Sequence, residues 1–163
     1  MSVDYNSAPY FIDPDTGFEL RPLPAEDDAT AITVLAEATG ENTAEAAQIV
    51  IDRARESGDD RVIGGWLNDQ LIGAYTIERD GMANQVTLIA VAPDFRRKGF
   101  GKTMLLDALR RSGRRPLIAE TDDDALQFYK KCGFKMVGRR KHPSGVFRYR
   151  VGWHAPRNTE ENC

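Results

Sequence analysis

Residues 91–103 read V-A-P-D-F-R-R-K-G-F-G-K-T, and this is the most informative stretch of the sequence. An apolar run typical of a buried strand, residues 86–91, leads into it, and a helix-forming run, residues 104–109, follows it. Between the two runs lie four basic side chains and two glycines, Gly99 and Gly101. Glycine lets a backbone approach a ligand closely, and the first turn of a helix presents unpaired N–H groups at a positive dipole end. The stretch therefore predicts a strand, loop and helix that bind a pyrophosphate.

Two well-known phosphate loops fit this stretch poorly. The P-loop pattern G-x-x-x-x-G-K-[ST] matches residues 101–103, but its first glycine would fall on Arg96. The dinucleotide pattern G-x-G-x-x-G matches Gly99 and Gly101 and then fails at Met104. Both nucleotide-binding interpretations are therefore excluded.

The pattern that does match is R-x-x-G-x-G, formed by Arg96, Gly99 and Gly101 after a strand that ends in V-x-P. It resembles the acetyl-CoA loop of the GCN5-related N-acetyltransferase (GNAT) superfamily, in which the loop amides and the next helix start bind the CoA pyrophosphate. A solvated basic turn that contains glycine would give the same short pattern by chance. A second motif is therefore needed to decide between the two.

That second motif lies in residues 117–134, which read L-I-A-E-T-D-D-D-A-L-Q-F-Y-K-K-C-G-F. A short strand is followed by Asp and Thr side chains that suit a helix N-terminus, and Gly133 suits its end. The residues that share one face of this helix are Ala125, Phe128, Tyr129 and Cys132. The segment is similar to the A-x-x-[FL]-Y-x-x-x-G-F helix of the same superfamily. Two motifs in the expected order and spacing favour membership of it.

Composition predicts one soluble domain. The chain has 163 residues, of which 29% are charged and 41% hydrophobic. No apolar run approaches the roughly 20 residues that cross a bilayer, and the start lacks a signal pattern. Cys132 and Cys163 belong to no metal-spaced cluster. We therefore expect a cytoplasmic protein with reduced thiols, no metal and no membrane partner.

Charge is unevenly distributed along the chain. Residues 1–90 carry 5 basic and 17 acidic side chains, whereas residues 91–163 carry 17 basic and 8 acidic ones. The basic half suits a ligand with several phosphates, and the acidic half would favour a cationic amine. The alternative is that these charges keep the surface soluble. Nucleic acid is disfavoured as a partner, because Phe95 and Phe100 are the only aromatics in the basic stretch.

Hydrophobic periodicity and turn signals predict the element order β-α-α-β-β-β-α-β-α-β-β. The first strand is expected at residues 18–23, two helices within residues 25–57, and a hairpin turn at Asn68 and Asp69. We predict a flexible arm at 1–17, one domain at 18–153 and a tail at 154–163. The fold class is α/β (α+β), with a single mixed sheet flanked by helices.

The resemblance implies further features of this fold. The sheet should splay between the strands that end near Val91 and Glu120, with the acyl-pantetheine in the gap. The family uses direct attack of the amine on the thioester, with a backbone N–H near the strand end polarising the carbonyl. Many members carry an Asn that binds the pantetheine where this chain has Asp122, a residue that also suits a helix cap. The residues that the resemblance assigns to CoA are Val91, Arg96, Arg97, Lys98, Gly99, Phe100, Gly101, Lys102, Thr103 and Asp122.

Two catalytic roles follow from the resemblance. Tyr129 is the candidate acid or hydrogen-bond donor to the departing thiolate, although its periodicity alone also suits a core residue. The strand before the loop lacks the carboxylate that many members use as a base. Glu120 is the preferred substitute, and Glu78 or a water molecule remain alternatives.

The acceptor is left open as a small-molecule amine or a peptide. In such folds the acceptor side is shaped by the first two helices and by a loop expected at residues 141–145. A noncatalytic acyl-CoA-binding or regulatory module is the rival hypothesis. The oligomeric state is also open, a homodimer included.

Overall fold

One mixed sheet lies at the centre of the computed structural model, which describes residues 11–39 and 41–154. Its strands are β1 (Phe11–Ile12), β2 (Glu19–Pro22), β3 (Val62–Leu67), β4 (Gln70–Asp80), β5 (Ala83–Val91), β6 (Leu117–Thr121), β7 (Lys135–Lys141) and β8 (Phe147–Trp153). Their order across the sheet is β1-β2-β3-β4-β5-β6-β8-β7. Only β5 and β6 run parallel, and every other neighbouring pair is antiparallel.

Helices cover both faces of the sheet. They are α1 (Asp28–Leu35), α2 (Ala44–Glu56), α3 (Phe100–Ser112) and α4 (Asp123–Lys131). The buried residues of α1 and α2 form one apolar cluster with Ala74 of β4, whereas those of α3 and α4 form another with Tyr75. Successive residues of a strand point to opposite faces, so the two clusters lie on opposite sides of the sheet. No helix in the described part of the chain is long and apolar enough to cross a membrane.

The sheet opens between β5 and β6. These strands pair over three residues only, with Val86 opposite Ala119 at the last step. Beyond that point β5 continues along β4 as far as Val91, and β6 continues along β8 as far as Thr121. The predicted splay between the strands that end near Val91 and Glu120 is confirmed.

The predicted order of elements is confirmed, with one additional strand at the start. Phe11 and Ile12 form β1 and pair with β2, although they lie in the stretch predicted as an arm. Two apolar residues between polar neighbours give no alternating pattern, so their pairing has no local signal. Residues 1–10 and 155–163 lie outside the described residues, and the proposed boundaries of arm, domain and tail stay predictions.

Candidate active site

A cavity of about 780 Å³ lies where β5 and β6 separate. Its walls are residues 86–89 of β5, residues 120–125 together with Tyr129, the segment that follows α1, and the hairpin of β7 and β8. The residues that sequence reasoning proposed for chemistry, Glu120 and Tyr129, therefore border one common space.

The free backbone edge of β5 faces this gap. Ala92 donates its N–H to the carbonyl of Ile72 over 2.7 Å at the end of the ladder with β4. Residues of an antiparallel pair alternate in the direction of their N–H and C=O groups, so Ile89 and Val91 direct theirs away from β4. On that side β6 pairs only with residues 84–86. The polar backbone groups of Ile89 and Val91 are thus directed into the gap.

The loop predicted to bind pyrophosphate leads into an uncapped helix start. Gly99 is the N-cap of α3 with φ of +89°, and no side chain caps the helix. The first turn of α3 contains no acidic residue, whereas each of the other three described α-helices has at least one. A Cβ on Gly99 would meet no atom within 4 Å. The N–H groups of this turn, beside exposed Lys98 and Lys102, therefore suit an anion.

The loop, the end of β5 and α4 meet at Gly101. A Cβ on Gly101 would lie 3.6 Å from Cζ of Phe128 and 3.9 Å from Cγ2 of Val91. Phe100 is buried, with its ring centroid 4.8 Å from that of Phe18, and it fixes the loop to the core. The start of α3 therefore lies directly beside the helix that carries Tyr129.

Tyr129 is a buried phenol at the wall of the cavity. Its side chain packs against the rings of Phe128 and Phe134, and only 4% of the residue is exposed. No described residue forms a hydrogen bond with its hydroxyl. Burial raises the pKa of Tyr129 well above its ordinary value, with Cys132 adding to the rise and Arg148 opposing it. The hydroxyl therefore stays protonated near neutral pH and can donate one hydrogen bond.

Comparison with known proteins assigns this geometry to a family. A family model described as an acetyltransferase (GNAT) domain matches residues 31–148, which include both motifs and the whole cavity wall. The chain belongs to the GNAT acetyltransferase family. The resemblance inferred from the sequence is confirmed.

Similar proteins agree with this assignment. An uncharacterized N-acetyltransferase of Bacillus subtilis (strain 168), YvbK, is 29% identical over 96 residues, which are 53% of this chain and 59% of that protein. The match thus spans less than two thirds of the relative's own length. Among solved structures, a GNAT acetyltransferase of Bacillus cereus has a TM-score of 0.72 at 15% identity, over 86% of this chain and 99% of the other.

Two further solved structures contain coenzyme A or acetyl-CoA. The PaiA N-acetyltransferase of Thermoplasma acidophilum, in complex with coenzyme A, has a TM-score of 0.62 at 20% identity and covers 83% of this chain and 99% of its own. A GNAT acetyltransferase of Elizabethkingia anophelis with acetyl-CoA bound has a TM-score of 0.67 at 21% identity, with coverage of 84% and 97%. At sequence identities of 20% and 21%, the similarity of these structures shows only that they share a fold with this chain.

The two carboxylates considered as bases have different surroundings in this GNAT domain. Glu120 borders the cavity, and Arg140 donates a hydrogen bond to it with Nη2 and Oε2 3.2 Å apart. Glu78 lies outside the cavity wall and accepts two hydrogen bonds from Arg53. Burial raises the pKa of Glu78, but hydrogen bonds from Arg53 and Thr87 outweigh it and lower the pKa below its ordinary value. Of the two, only Glu120 borders the cavity itself, whereas Glu78 contacts its wall through Thr87.

Asp122 has a structural role that the sequence also suggested. It is the N-cap of α4, and its carboxylate accepts a hydrogen bond from the Ala125 N–H over 3.0 Å. The helix-cap interpretation is confirmed. Since Asp122 also borders the cavity, its contact with the pantetheine stays a prediction.

Among the residues of the cavity wall that were not singled out from the sequence are Glu37, Thr87, Arg140 and Arg148. Thr87 is the extra residue of a β-bulge, since Thr76 pairs with Leu88 and Ile77 with Val86. A bulge of this kind does not follow from the alternation of apolar and polar residues, so the sequence does not predict it. The two arginines, Arg140 and Arg148, flank the predicted 141–145 loop. Their position beside a loop expected at the acceptor side was the sequence signal that could have identified them.

The cavity wall is predominantly acidic. Two guanidiniums, those of Arg140 and Arg148, face five carboxylates, those of Glu37, Glu120, Asp122, Asp123 and Asp124. Within residues 11–39 and 41–154, no group of three or more His, Cys, Asp and Glu side chains is arranged to hold a metal ion. The excess of carboxylates favours a positively charged ligand.

Proposed function

We propose that this GNAT domain transfers the acetyl group of acetyl-CoA to a primary amine of a small molecule or peptide. The amine attacks the thioester directly in a ternary complex. The proposal rests on the gap between β5 and β6, which Tyr129 borders, and on the uncapped start of α3 beside Val91 and α4. The coenzyme A and acetyl-CoA named for the two solved relatives support the identity of the donor.

The donor fits the residues at the start of α3. Its pyrophosphate would accept hydrogen bonds from the N–H groups of the first turn, with Arg96, Arg97 and Lys98 supplying positive charge. The open space beside Gly99 leaves room for the phosphate oxygens. The amide groups of the pantetheine would pair with the free edge of β5 at Ile89 and Val91, as an added strand does.

The transfer forms an N–C bond and breaks the C–S bond of the thioester. A backbone N–H of β5 directed into the gap polarises the carbonyl as charge develops on its oxygen, and one such fixed donor contributes roughly 3 kcal/mol. Tyr129 donates a hydrogen bond to the departing sulfur, because its hydroxyl borders the gap and has no other hydrogen-bond partner among the described residues. No acyl-enzyme is required.

The nitrogen that attacks must lose a proton. We assign this proton to Glu120, directly or through a water molecule, because Glu120 borders the cavity. Glu78 lies outside the cavity wall, so it is not assigned a catalytic role.

Free-thiol release from acetyl-CoA tests this function, with polyamines, aminoglycosides, amino acids and Lys peptides as acceptors. The expected result is CoA binding together with thiol release that depends on an added amine. Tight CoA binding with no acceptor-dependent release across the panel would favour a noncatalytic CoA-binding module. Absence of CoA binding would contradict both functions.

A further inference from the structure

Arg96 connects the donor loop with the wall of the cavity. Its Nε donates a hydrogen bond to the carbonyl of Val91 over 2.9 Å, and its Nη2 donates to Oε2 of Glu37 over 2.7 Å. Glu37 lies in the short 3-10 helix Ala36–Ala38 that follows α1, and it borders the cavity. One side chain of the donor loop therefore neutralises a carboxylate of the acceptor side.

This ion pair is easily exchanged. The side chains of Arg96 and Glu37 are 46% and 62% exposed, and ion pairs this exposed contribute little to stability. A pyrophosphate held by the N–H groups of α3 would carry more charge than one carboxylate and would compete for the same guanidinium. The exchange would leave Glu37 unpaired at the cavity wall and would release the Val91 carbonyl.

An unpaired Glu37 would attract a cation that the reacting nitrogen cannot supply. The attacking amine must be neutral, so it offers no positive charge to a carboxylate. The wall already carries more carboxylates than guanidiniums, and the buried hydroxyl of Tyr129, without a described hydrogen-bond partner, borders the same space. A second, charged amino group on the acceptor would pair with the Glu37 carboxylate while the first, neutral amino group reacts near Tyr129.

We propose that the acceptor is a diamine or polyamine, and that Glu37 binds its charged second amino group after the donor pyrophosphate has displaced Glu37 from Arg96. The inference rests on the proposed function, because it needs CoA at the start of α3. Glu37 is then a specificity-determining residue, and the donor strengthens acceptor binding. By linkage the acceptor strengthens donor binding by the same factor.

Calorimetry with 1,4-diaminobutane, with and without saturating CoA, tests this coupling, and butylamine is the control ligand. In the wild-type protein, CoA should tighten diamine binding by about two- to fivefold, the most that an exposed ion pair can supply, and leave butylamine binding unchanged. Glu37→Gln should bind the diamine weakly under both conditions. Arg96→Gln should bind it tightly even without CoA, because Glu37 is then unpaired from the start.

The opposite responses of the two variants distinguish this coupling from a general loss of structure. Glu19→Gln, which breaks a comparable exposed pair with Arg21 away from the cavity wall, should behave as the wild type. In steady state, Glu37→Gln should raise KM for the diamine about two- to fivefold and leave KM for butylamine unchanged.

The inference would be overturned if CoA still tightened diamine binding in Glu37→Gln. It would also be overturned if, without CoA, Arg96→Gln bound the diamine no more tightly than the wild type does. A wild-type protein that binds CoA and acetylates other amines, but gains no affinity for the diamine, would overturn this inference alone. Failure to bind CoA would instead refute the proposed function.

Discussion

Gly99 and Gly113 lie at the two ends of α3, and both have a positive φ, +89° and +63°. A Cβ on either would meet no atom within 4 Å, so neither position is crowded. They differ in what lies beside them. Gly99 borders the helix start proposed to hold the pyrophosphate, whereas Gly113 lies at the opposite end.

Gly99→Ala should therefore weaken CoA binding at least about tenfold, because the methyl group enters the space beside the first-turn N–H groups. Gly113→Ala is the matched control and should bind CoA as the wild type does. Both variants should lose roughly 1–3 kcal/mol of unfolding free energy from backbone strain. Calorimetry and urea unfolding measure the two effects, and equal CoA affinity in both variants would contradict the assignment of the donor site.

Tyr129→Phe should lower kcat roughly 10- to 100-fold, because it removes the hydrogen bond to the departing sulfur. The KM for acetyl-CoA should stay within about twofold, since the phosphates bind elsewhere. Initial rates of thiol release measure both values. Full activity of this variant would disprove the role assigned to Tyr129.

The matched control for Tyr129 is Tyr75, a second buried tyrosine. Its hydroxyl donates a hydrogen bond to Asp107 in the core on the α3 side of the sheet. Tyr75→Phe should lower the unfolding free energy by about 1–3 kcal/mol and leave kcat unchanged. A drop in kcat of equal size in both variants would mean that packing, not chemistry, explains the loss.

Glu120→Gln should lower kcat at least about tenfold, because the attacking amine loses its proton acceptor. Glu78→Gln makes the same chemical change outside the cavity and should keep the wild-type kcat. If Glu78→Gln were the slower variant, the base would have been assigned to the wrong carboxylate. Unchanged rates in both would favour a water molecule as the base.

Glu78 should make stability depend on pH. Its pKa is lowered in the folded state, so its contribution is present above the unfolded value near ~4.3 and is lost as pH falls through the folded pKa. Glu78→Gln should be about 1 kcal/mol less stable than the wild type at pH 7. At a pH below the folded-state pKa of Glu78, the two proteins should converge. Urea unfolding at both pH values measures this, and a difference that persists at acid pH would exclude the ion pair as its cause.

Local signals explain why so much of the fold is predictable from the sequence. For α4, three local signals indicate the same helix: the cap at Asp122, the apolar spacing through Tyr129 and the positive φ of Gly133. The parallel pairing of β5 and β6 follows from the family resemblance and from α3 between them. The position of Tyr129 beside the donor loop could therefore be predicted from the sequence.

Long-range contacts explain what was missed. Arg96 and Glu37 are 59 residues apart in the chain, and no spacing rule connects a loop with the end of an early helix. The bulge at Thr87 depends on how β4 and β5 align, and the contact of Glu120 with Arg140 depends on how β6, β8 and β7 stack side by side. These features arise from tertiary register, which amino-acid patterns alone do not specify.

The most direct test is a crystal structure of the protein with acetyl-CoA bound. We expect pyrophosphate oxygens within about 2.7–3.2 Å of the N–H groups at the start of α3. The thioester should lie between β5 and β6, with its carbonyl accepting a hydrogen bond from a β5 N–H and its sulfur within reach of the Tyr129 hydroxyl. Acetyl-CoA bound on another face of the molecule, or a thioester outside this gap, would contradict the proposed donor site.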